Sequence, residues 1–599
     1  GAVQASSEPA GTVMGQLRAG PENDSQFTQH PRSEMQINNF TTRAGRSVEL
    51  GQFSVFVGAN NVGKSQSLRD LVTGIQNPRG HLVLVEEFEI ELPDAFNDFV
   101  AGLSVSDDPQ NADHRILRGF TPNLVSGEQI SYQLESVESN FGDPGWRVQR
   151  QEWLLRQFGK FKVAHLDAAT RLRIAAATGP HDPDTAAPQN LLQSLMYDLD
   201  AQVRLSEVFE DVFGVQVKLD YSSLAQLTLR VAEQFPAIPD HPARARPLMR
   251  RFASLDEQGD GYRSLAGVIL SVLLSRGRVL LIDEPEAFLH PAQARRLGVW
   301  LATLIPESGS QVLMATHNPH LLAGLLNGNA DVDVYRLNRV DDDTSFTRIA
   351  AQHLQQLASS PLLSSQRVLE AVFHRGVVVC EADSDRLFYH GAAEKVSPSH
   401  QVQFIHAHNK QTIKDVISLL VAADIPAAAI ADFDLVNSQE DLNALCEAFG
   451  TECPGSVTST RAKIAHAVEQ TPDEALLEGI AADVTELLEQ LEQGEHVLSG
   501  ARSALRRIGD AASKWRGIKR HGIAGLSPEL KAEAEEMLAE LSELGVFLVP
   551  SGELESWLDL GTRRKNRWIV LALSYLEDQQ IPDPLSQFLS EVLGFVSVN

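Results

Sequence analysis

The stretch Phe53–Ser65 reads FSVFVGANNVGKS, and its reading decides the fold of the first part of the chain. Phe53–Val57 is a short, mostly apolar run of the kind that forms a strand buried on both faces. Gly58 to Ser65 then fits the pattern G-x-x-x-x-G-K-[ST] in full. Beyond it Leu68, Leu71, Val72 and Ile75 recur at helical spacing, so the loop joins a strand to a helix. In that setting the glycines let the backbone wrap around phosphates. The helix N-terminus adds a partial positive charge. Gly58, Asn60, Asn61 and Gly63 are the expected cradle. Lys64 is expected to hold the β- and γ-phosphates, and the Ser65 hydroxyl to bind Mg²⁺. ATP is the expected cofactor.

Further along, Val279–Ile282 (VLLI) reads as a second buried strand and Gln311–Ala315 (QVLMA) as a third. Between them Leu297, Trp300, Leu301 and Leu304 share one helical face. This β-α-β unit implies a parallel sheet with a right-handed crossover. Asp283 and Glu284 fall at the carboxyl end of the VLLI strand, where open α/β sheets bind ligands. Asp283 suits a water-mediated Mg²⁺ contact and Glu284 the polarisation of an attacking water. His317, just past the third strand, is placed to sense the γ-phosphate. Gly259-Asp260-Gly261 opens a helix whose buried face carries Leu265, Val268, Ile269 and Val272. Its N–H groups can meet a phosphate, although taken alone it is equally an ordinary helix cap.

A second alternating pattern starts at Gly376. Val377–Cys380, Val402–Ile405 and Ala427–Ala431 read as strands, and Val546–Val549 returns to strand after a Leu-, Glu- and Ala-rich helical stretch at about 456–545. Glu381, Asp385, Asp432 and Asp434 follow these strands, and Glu553 and Glu555 follow the last. Carboxylates converging on one sheet edge suit Mg²⁺ or Mn²⁺. Two such ions can activate water and stabilise the leaving oxygen of a phosphodiester. The run Arg563-Arg564-Lys565-Asn566-Arg567 stands where it can bind a phosphate. Two further basic clusters, Arg244/Arg246/Arg250/Arg251 and Arg506/Arg507/Arg516/Lys519/Arg520, read as surface or as nucleic-acid contacts.

The 599 residues are too many for one core. A formal net charge of −28 argues against a protein that merely coats DNA, yet it leaves room for a nuclease, whose site needs carboxylates. Three scattered cysteines, Cys380, Cys446 and Cys453, fit neither a zinc site nor a disulfide framework, so a cytoplasmic location is expected. The longest apolar stretch, Leu265–Leu274, is too short to span a membrane. Residues 1–34, rich in Gly, Pro, Ser and Gln, read as a disordered tail.

MQINNF…FSVFVGANNVGKS, GDGYRSL, LLIDEPEAFLHP and ATHNP together resemble ABC/RecF/SMC-type ATPase heads. That likeness makes Gly259–Ser264 a signature segment acting on a second subunit's nucleotide, and so implies a homodimer through the heads. VVVCEADSDRLFY and AIADFDLV resemble a TOPRIM domain, with Ala382 where a glycine usually stands. A head of this type followed by such a domain resembles the OLD (overcoming lysogenisation defect) nucleases.

The expected fold is therefore α/β: an ABC-type head with a parallel-core sheet at 35–365, then a Rossmann-like TOPRIM domain at 366–599 carrying the helical insertion. Residues of about 90–250 are expected to be inserted in the head, with possible dimerisation elements. The resemblance implies that Glu381, Asp385, Asp432, Asp434 and Glu553 or Glu555 hold metal, and that Lys565 stabilises the transition state. The function expected is a nucleotide-regulated, metal-dependent DNA endonuclease, acting in phage defence or DNA processing, with DNA and a possible defence protein as partners. The alternative is a non-cutting RecF/SMC-like repair or sensor ATPase. A topoisomerase would need a nucleophilic tyrosine on a separate DNA-binding domain, and a primase a zinc module; neither is evident.

Overall fold

The computed structural model describes residues 35–598 apart from 183–186, 329–330, 341–342, 351, 356–366, 399–400, 408–409, most of 471–513, and 563–564. The expected tail at 1–34, the middle of the expected insertion, Arg506, Arg507, Arg563 and Arg564 lie outside the described residues.

Six strands build the first central sheet: β1 (Phe53–Gly58), β2 (Val163–Leu166), β3 (Val279–Asp283), β4 (Gln311–Ala315), β5 (Asp333–Val340) and β6 (Asp343–Ile349). Their spatial order is β6-β5-β1-β4-β3-β2. All neighbours run parallel except the β5–β6 hairpin. Every residue of β1 and β4 is buried, which is why both read as apolar runs rather than as alternating ones. Helices α1 (Lys64–Gln76), α2 (Ala168–Ile174), α3 (Asp260–Leu274) and α4 (Pro291–Ser308) connect or cover these strands. Leu68, Leu71 and Ile75 of α1 are fully buried, as their spacing requires.

The tract at about 90–250, expected as an insertion, itself contributes β2 and α2 to the head. It includes two three-stranded antiparallel sheets, one at 104–133 and one at 216–254. Phe96, Phe99, Tyr132, Phe141 and Phe158 pack as one aromatic group beneath the first of these. Leu205, Val208 and Phe209 of the helix Leu199–Phe213 join the core beside Ile282.

The second sheet has β7 (Gly376–Cys380), β8 (Val402–His406), β9 (Ala427–Ala431) and β10 (Val546–Leu548) in the order β8-β7-β9-β10, all parallel. Helices α5 (Asp383–Val396) and α6 (Lys410–Ala422) link the first three strands. Between β9 and β10 come α7 (Gly455–Glu469), α8 (Arg516–His521) and α9 (Pro528–Glu543). The chain ends in α10 (Lys565–Asp578) and α11 (Asp583–Val598).

The two sheets share one apolar cluster that runs from Val55 and Ile282 through Ala371, Val372 and Phe373 to Val377 and Ile405. At the same seam the buried Arg336 of β5 donates to His374 O at 2.7 Å and Arg375 O at 2.8 Å. Arg375 in turn donates to Arg339 O at 2.7 Å. Among the described residues no helix is long and apolar enough to cross a membrane.

Candidate functional sites

The loop between β1 and α1 opens with Gly58 at φ 144° and closes on Gly63 at φ 104°, conformations open to glycine and costly for other residues. Gly58 also lies against the Leu337 carbonyl of β5, where a side chain has no room. The first turn of α1 receives no side-chain cap, so its N–H groups face the loop as a phosphate cradle needs. Asn60, Asn61, Gly63, Lys64, Ser65 and Glu284 line a cleft of about 950 Å³, together with Arg43, Arg69 and Arg339. Lys64 is buried, and its Nζ donates to Gly58 O (2.8 Å) and Ala59 O (2.7 Å). Burial pulls the Lys64 ammonium below its ordinary pKa, against the opposing attraction of Glu284, Asp283 and Glu286.

Parallel pairing of β1 with β4 and of β4 with β3 brings Asp283 beside the loop. Ser65 Oγ donates to Asp283 Oδ1 at 2.8 Å, so the two residues expected to share a cation are already in contact. Burial lifts the Asp283 carboxyl above its usual range. Glu284 takes the left-handed φ of 49°, an uncommon conformation for a non-glycine residue. That turn aims its carboxylate at His317, with Oε1 2.8 Å from Nδ1. The contact lowers the Glu284 pKa and raises that of His317. Gly259 and Gly261 stand at the start of α3 and do not line this cleft.

Two residues here had no signal of their own in the sequence. Glu286 is buried, accepts from Thr316 Oγ1 at 2.6 Å, and is pushed up in pKa by desolvation. Arg171 of α2 is wholly buried. It donates to Leu166 O (2.9 Å), Glu284 O (2.8 Å), Ser264 Oγ (3.1 Å) and Asp283 O. One guanidinium thus ties the end of β2, the acidic turn after β3 and the first turns of α3 together.

At the second sheet, β7 pairs with β9 and β9 with β10, so Glu381, Asp432 and the loop bearing Glu553 and Glu555 share one carboxyl edge. Asp385 accepts from Ala382 N at 3.1 Å and from Ser384 Oγ at 3.1 Å. Lys565 Nζ lies 3.0 Å from Asp385 Oδ1 and Lys519 Nζ 3.2 Å from Asp434 Oδ2. Burial holds Asp432 well above the ordinary carboxylate range, and Glu381, Asp385 and Asp434 push the same way. Burial also raises Glu555, with Glu553 adding to it.

Yet among the described residues no three such side chains close on one point as a ready-made ligand shell. The carboxylates share a field, while Asp385 and Asp434 each face a lysine. The donor set is all oxygen with net negative charge, which is what a hard divalent cation takes. The sequence pointed to Lys565; Lys519 was read only as one member of a basic cluster.

Residues 218–323 match a family described as an AAA domain, putative AbiEii toxin, type IV TA system. Residues 372–434 match the overcoming lysogenization defect protein-like TOPRIM domain. The chain joins an AAA-type ATPase domain to an OLD-like TOPRIM domain. The first match takes in Asp283, Glu284 and His317, and strand pairing adds the loop at 58–65 from outside it. The TOPRIM match ends at Asp434, so Glu553, Glu555, Lys519 and Lys565 are likewise brought in by the fold.

Solved structures to which the chain is similar include the SMC head domain from Thermotoga maritima, 15% identical, covering 53% of this chain and 98% of that chain at a TM-score of 0.26. Another is an Smc head bound to the C-winged helix domain of ScpA, 13% identical, covering 53% and 97% at 0.30. No curated protein matches the sequence. The ATPase domain supports ATPase activity, and the two domains together support use of a nucleotide and a divalent metal.

Proposed function

We propose that the protein is a nucleotide-regulated, metal-dependent DNA endonuclease. The observation that carries this reading is the shared carboxyl edge of the second sheet, after whose strands Glu381, Asp385, Asp432, Asp434, Glu553 and Glu555 follow, with Asp432 in the field of Glu381, Asp385 and Asp434 and Lys565 ion-paired to Asp385. The carboxylates would hold two Mg²⁺ ions, with Mn²⁺ as an alternative. Bound there, the ions would lower the pKa of a water and neutralise the leaving oxygen. Lys565 would place a positive charge against the scissile phosphate. Burial and the neighbouring acids hold the Asp432 carboxyl up, so a cation bound there would have to displace its proton.

In the head, Lys64 and the backbone of 58–65 would bind the β- and γ-phosphates of ATP, and Ser65 with Asp283 would hold its Mg²⁺. Glu284 would orient the attacking water, while His317 would hold Glu284 in place and sense the γ-phosphate. Gly259 and Gly261 would complete the nucleotide site of a second copy, so the active form would be a homodimer. The division into a head at 35–365 and a nuclease part at 366–599 belongs to this proposal. So do a role in phage defence or DNA processing, with a defence protein as possible partner, and a cytoplasmic location.

The test is supercoiled plasmid with Mg²⁺ or Mn²⁺, with and without ATP. Wild type should nick it and Asp432→Ala should not. Wild type that never nicks under any of these conditions supports the rival reading, a repair or sensor ATPase whose TOPRIM part only binds. Lys64→Ala should abolish nucleotide binding; ATP turnover that survives the change would remove the head assignment.

A further inference from the structure

The residues between β9 and β10 do more than decorate the sheet, because they deliver a lysine to the acidic edge. Lys519 lies on α8, and its Nζ is 3.2 Å from Asp434 Oδ2. Asp432 and Glu553 also act on its charge. Lys565 pairs with a different carboxylate, Asp385, and comes from α10. Two lysines from separate elements therefore flank carboxylates that follow two neighbouring strands.

The backbone around Lys519 has little slack. Gly552, at φ 106°, packs directly against Lys519 O, so a side chain there has no room. Gly522 packs against Pro550 O and Gly552 N. Ile523 N donates to Pro550 O at 3.1 Å, and Ser556 Oγ to Arg520 O at 3.0 Å. Phe433 N donates to Gly552 O at 2.8 Å. The turn after β9, the loop after β10 and α8 are thus one locked unit, and Lys519 is carried on it while its side chain stays about half exposed. A flexible ammonium at a fixed address, with the exposed Arg520 beside it, suits a phosphate whose exact orientation varies. On a chain with a net charge of −28, a nucleic-acid backbone needs such local cations to approach at all.

Resting on the nuclease reading above, we infer that Lys519 grips the DNA phosphate backbone at the Asp434 side of the site, while Lys565 serves the Asp385 side. The experiment uses the full chain and a fluorescent DNA duplex. Binding is followed by anisotropy across a salt series with Mg²⁺ in an Asp432→Ala background, and nicking is followed in the otherwise wild-type chain. Lys519→Ala should weaken binding about tenfold and reduce the log–log salt slope by about 0.9. It should raise KM for nicking far more than it lowers kcat, and Lys519→Arg should restore most of both.

An unchanged salt slope and KM would overturn the inference. So would a loss of kcat that Lys519→Arg fails to rescue, or a thermal midpoint lowered to match the loss, since either marks a structural role. Absence of nicking by wild type with the slope still reduced would refute the nuclease reading and leave Lys519 as a nucleic-acid contact.

Discussion

Arg171 shows what one residue contributes here. Its guanidinium donates to the carbonyls of Asp283 and Glu284 and to Ser264, more than ninety positions away in sequence. The planar fork suits several acceptors at once, and a lysine cannot reproduce it. Arg171→Lys should therefore lower ATP turnover at least about tenfold, a change of about 1.4 kcal/mol in the barrier. Turnover equal to wild type in a steady-state assay would show that the clasp is unimportant.

His317 and Glu284 yield a pH prediction at the same scale. The hydrogen bond to Glu284 raises His317 above its ordinary 6.5, so this contribution to stability is complete below 6.5 and fades as pH rises through the higher folded value. The same bond lowers Glu284 below its ordinary 4.5, so that contribution is present above 4.5 and is lost as pH falls through the lower folded value. The pair thus contributes fully between 4.5 and 6.5. Both side chains are about half exposed, so the amount is small, about 0.5 kcal/mol. Denaturant unfolding of His317→Gln against wild type should show its largest difference in that window and a smaller one near pH 9. A difference that does not vary with pH would argue against the ion pair.

At the scale of elements, the strands were legible because burial on both faces turns them into apolar runs, as in β1, β4, β7 and β9. Residues next to strand ends were legible for the same reason: Asp283, Glu381 and Asp432 are the first acids after such runs. Glu553 and Glu555 were harder, because a loop through Val549–Gly552 separates them from β10, and its course depends on Gly552 and Gly522. Gly552→Ala should destabilise the second domain by about 1–3 kcal/mol through its left-handed φ and the closeness of Lys519 O. It should also weaken DNA binding in the way Lys519→Ala does. Unaltered stability and binding in unfolding and anisotropy measurements would mean that α8 is not held by this loop.

At the scale of the whole molecule, the ATPase and TOPRIM parts are joined by packing as well as by chain. Arg336 spans from the head sheet to the carbonyls entering β7, and the apolar cluster passes through Ala371, Val372 and Phe373. Burial lowers the Arg336 pKa to about 10, so it remains charged at neutral pH. Hydrogen bonds from a charged donor are worth about 1.5–3 kcal/mol each, so Arg336→Ala should cost at least about 2 kcal/mol in denaturant unfolding. It should also blunt any effect of ATP on nicking while leaving the metal-dependent activity itself. A stable variant with the full ATP response would show that the seam is not a route between the sites.

What the sequence determined by itself was local: apolar runs of strand length, helical spacing, a glycine-rich loop before a helix, and acids following strands. Those signals depend on neighbours in the chain, so they survive without a structure. What only the tertiary structure decided was which distant groups meet. Arg171 under the acidic turn, Thr316 holding Glu286, Lys519 on Asp434 and Arg336 across the seam join positions too far apart for any period to record. Their placement follows from how sheets and loops pack, because a buried polar group takes whatever partner the fold brings within reach.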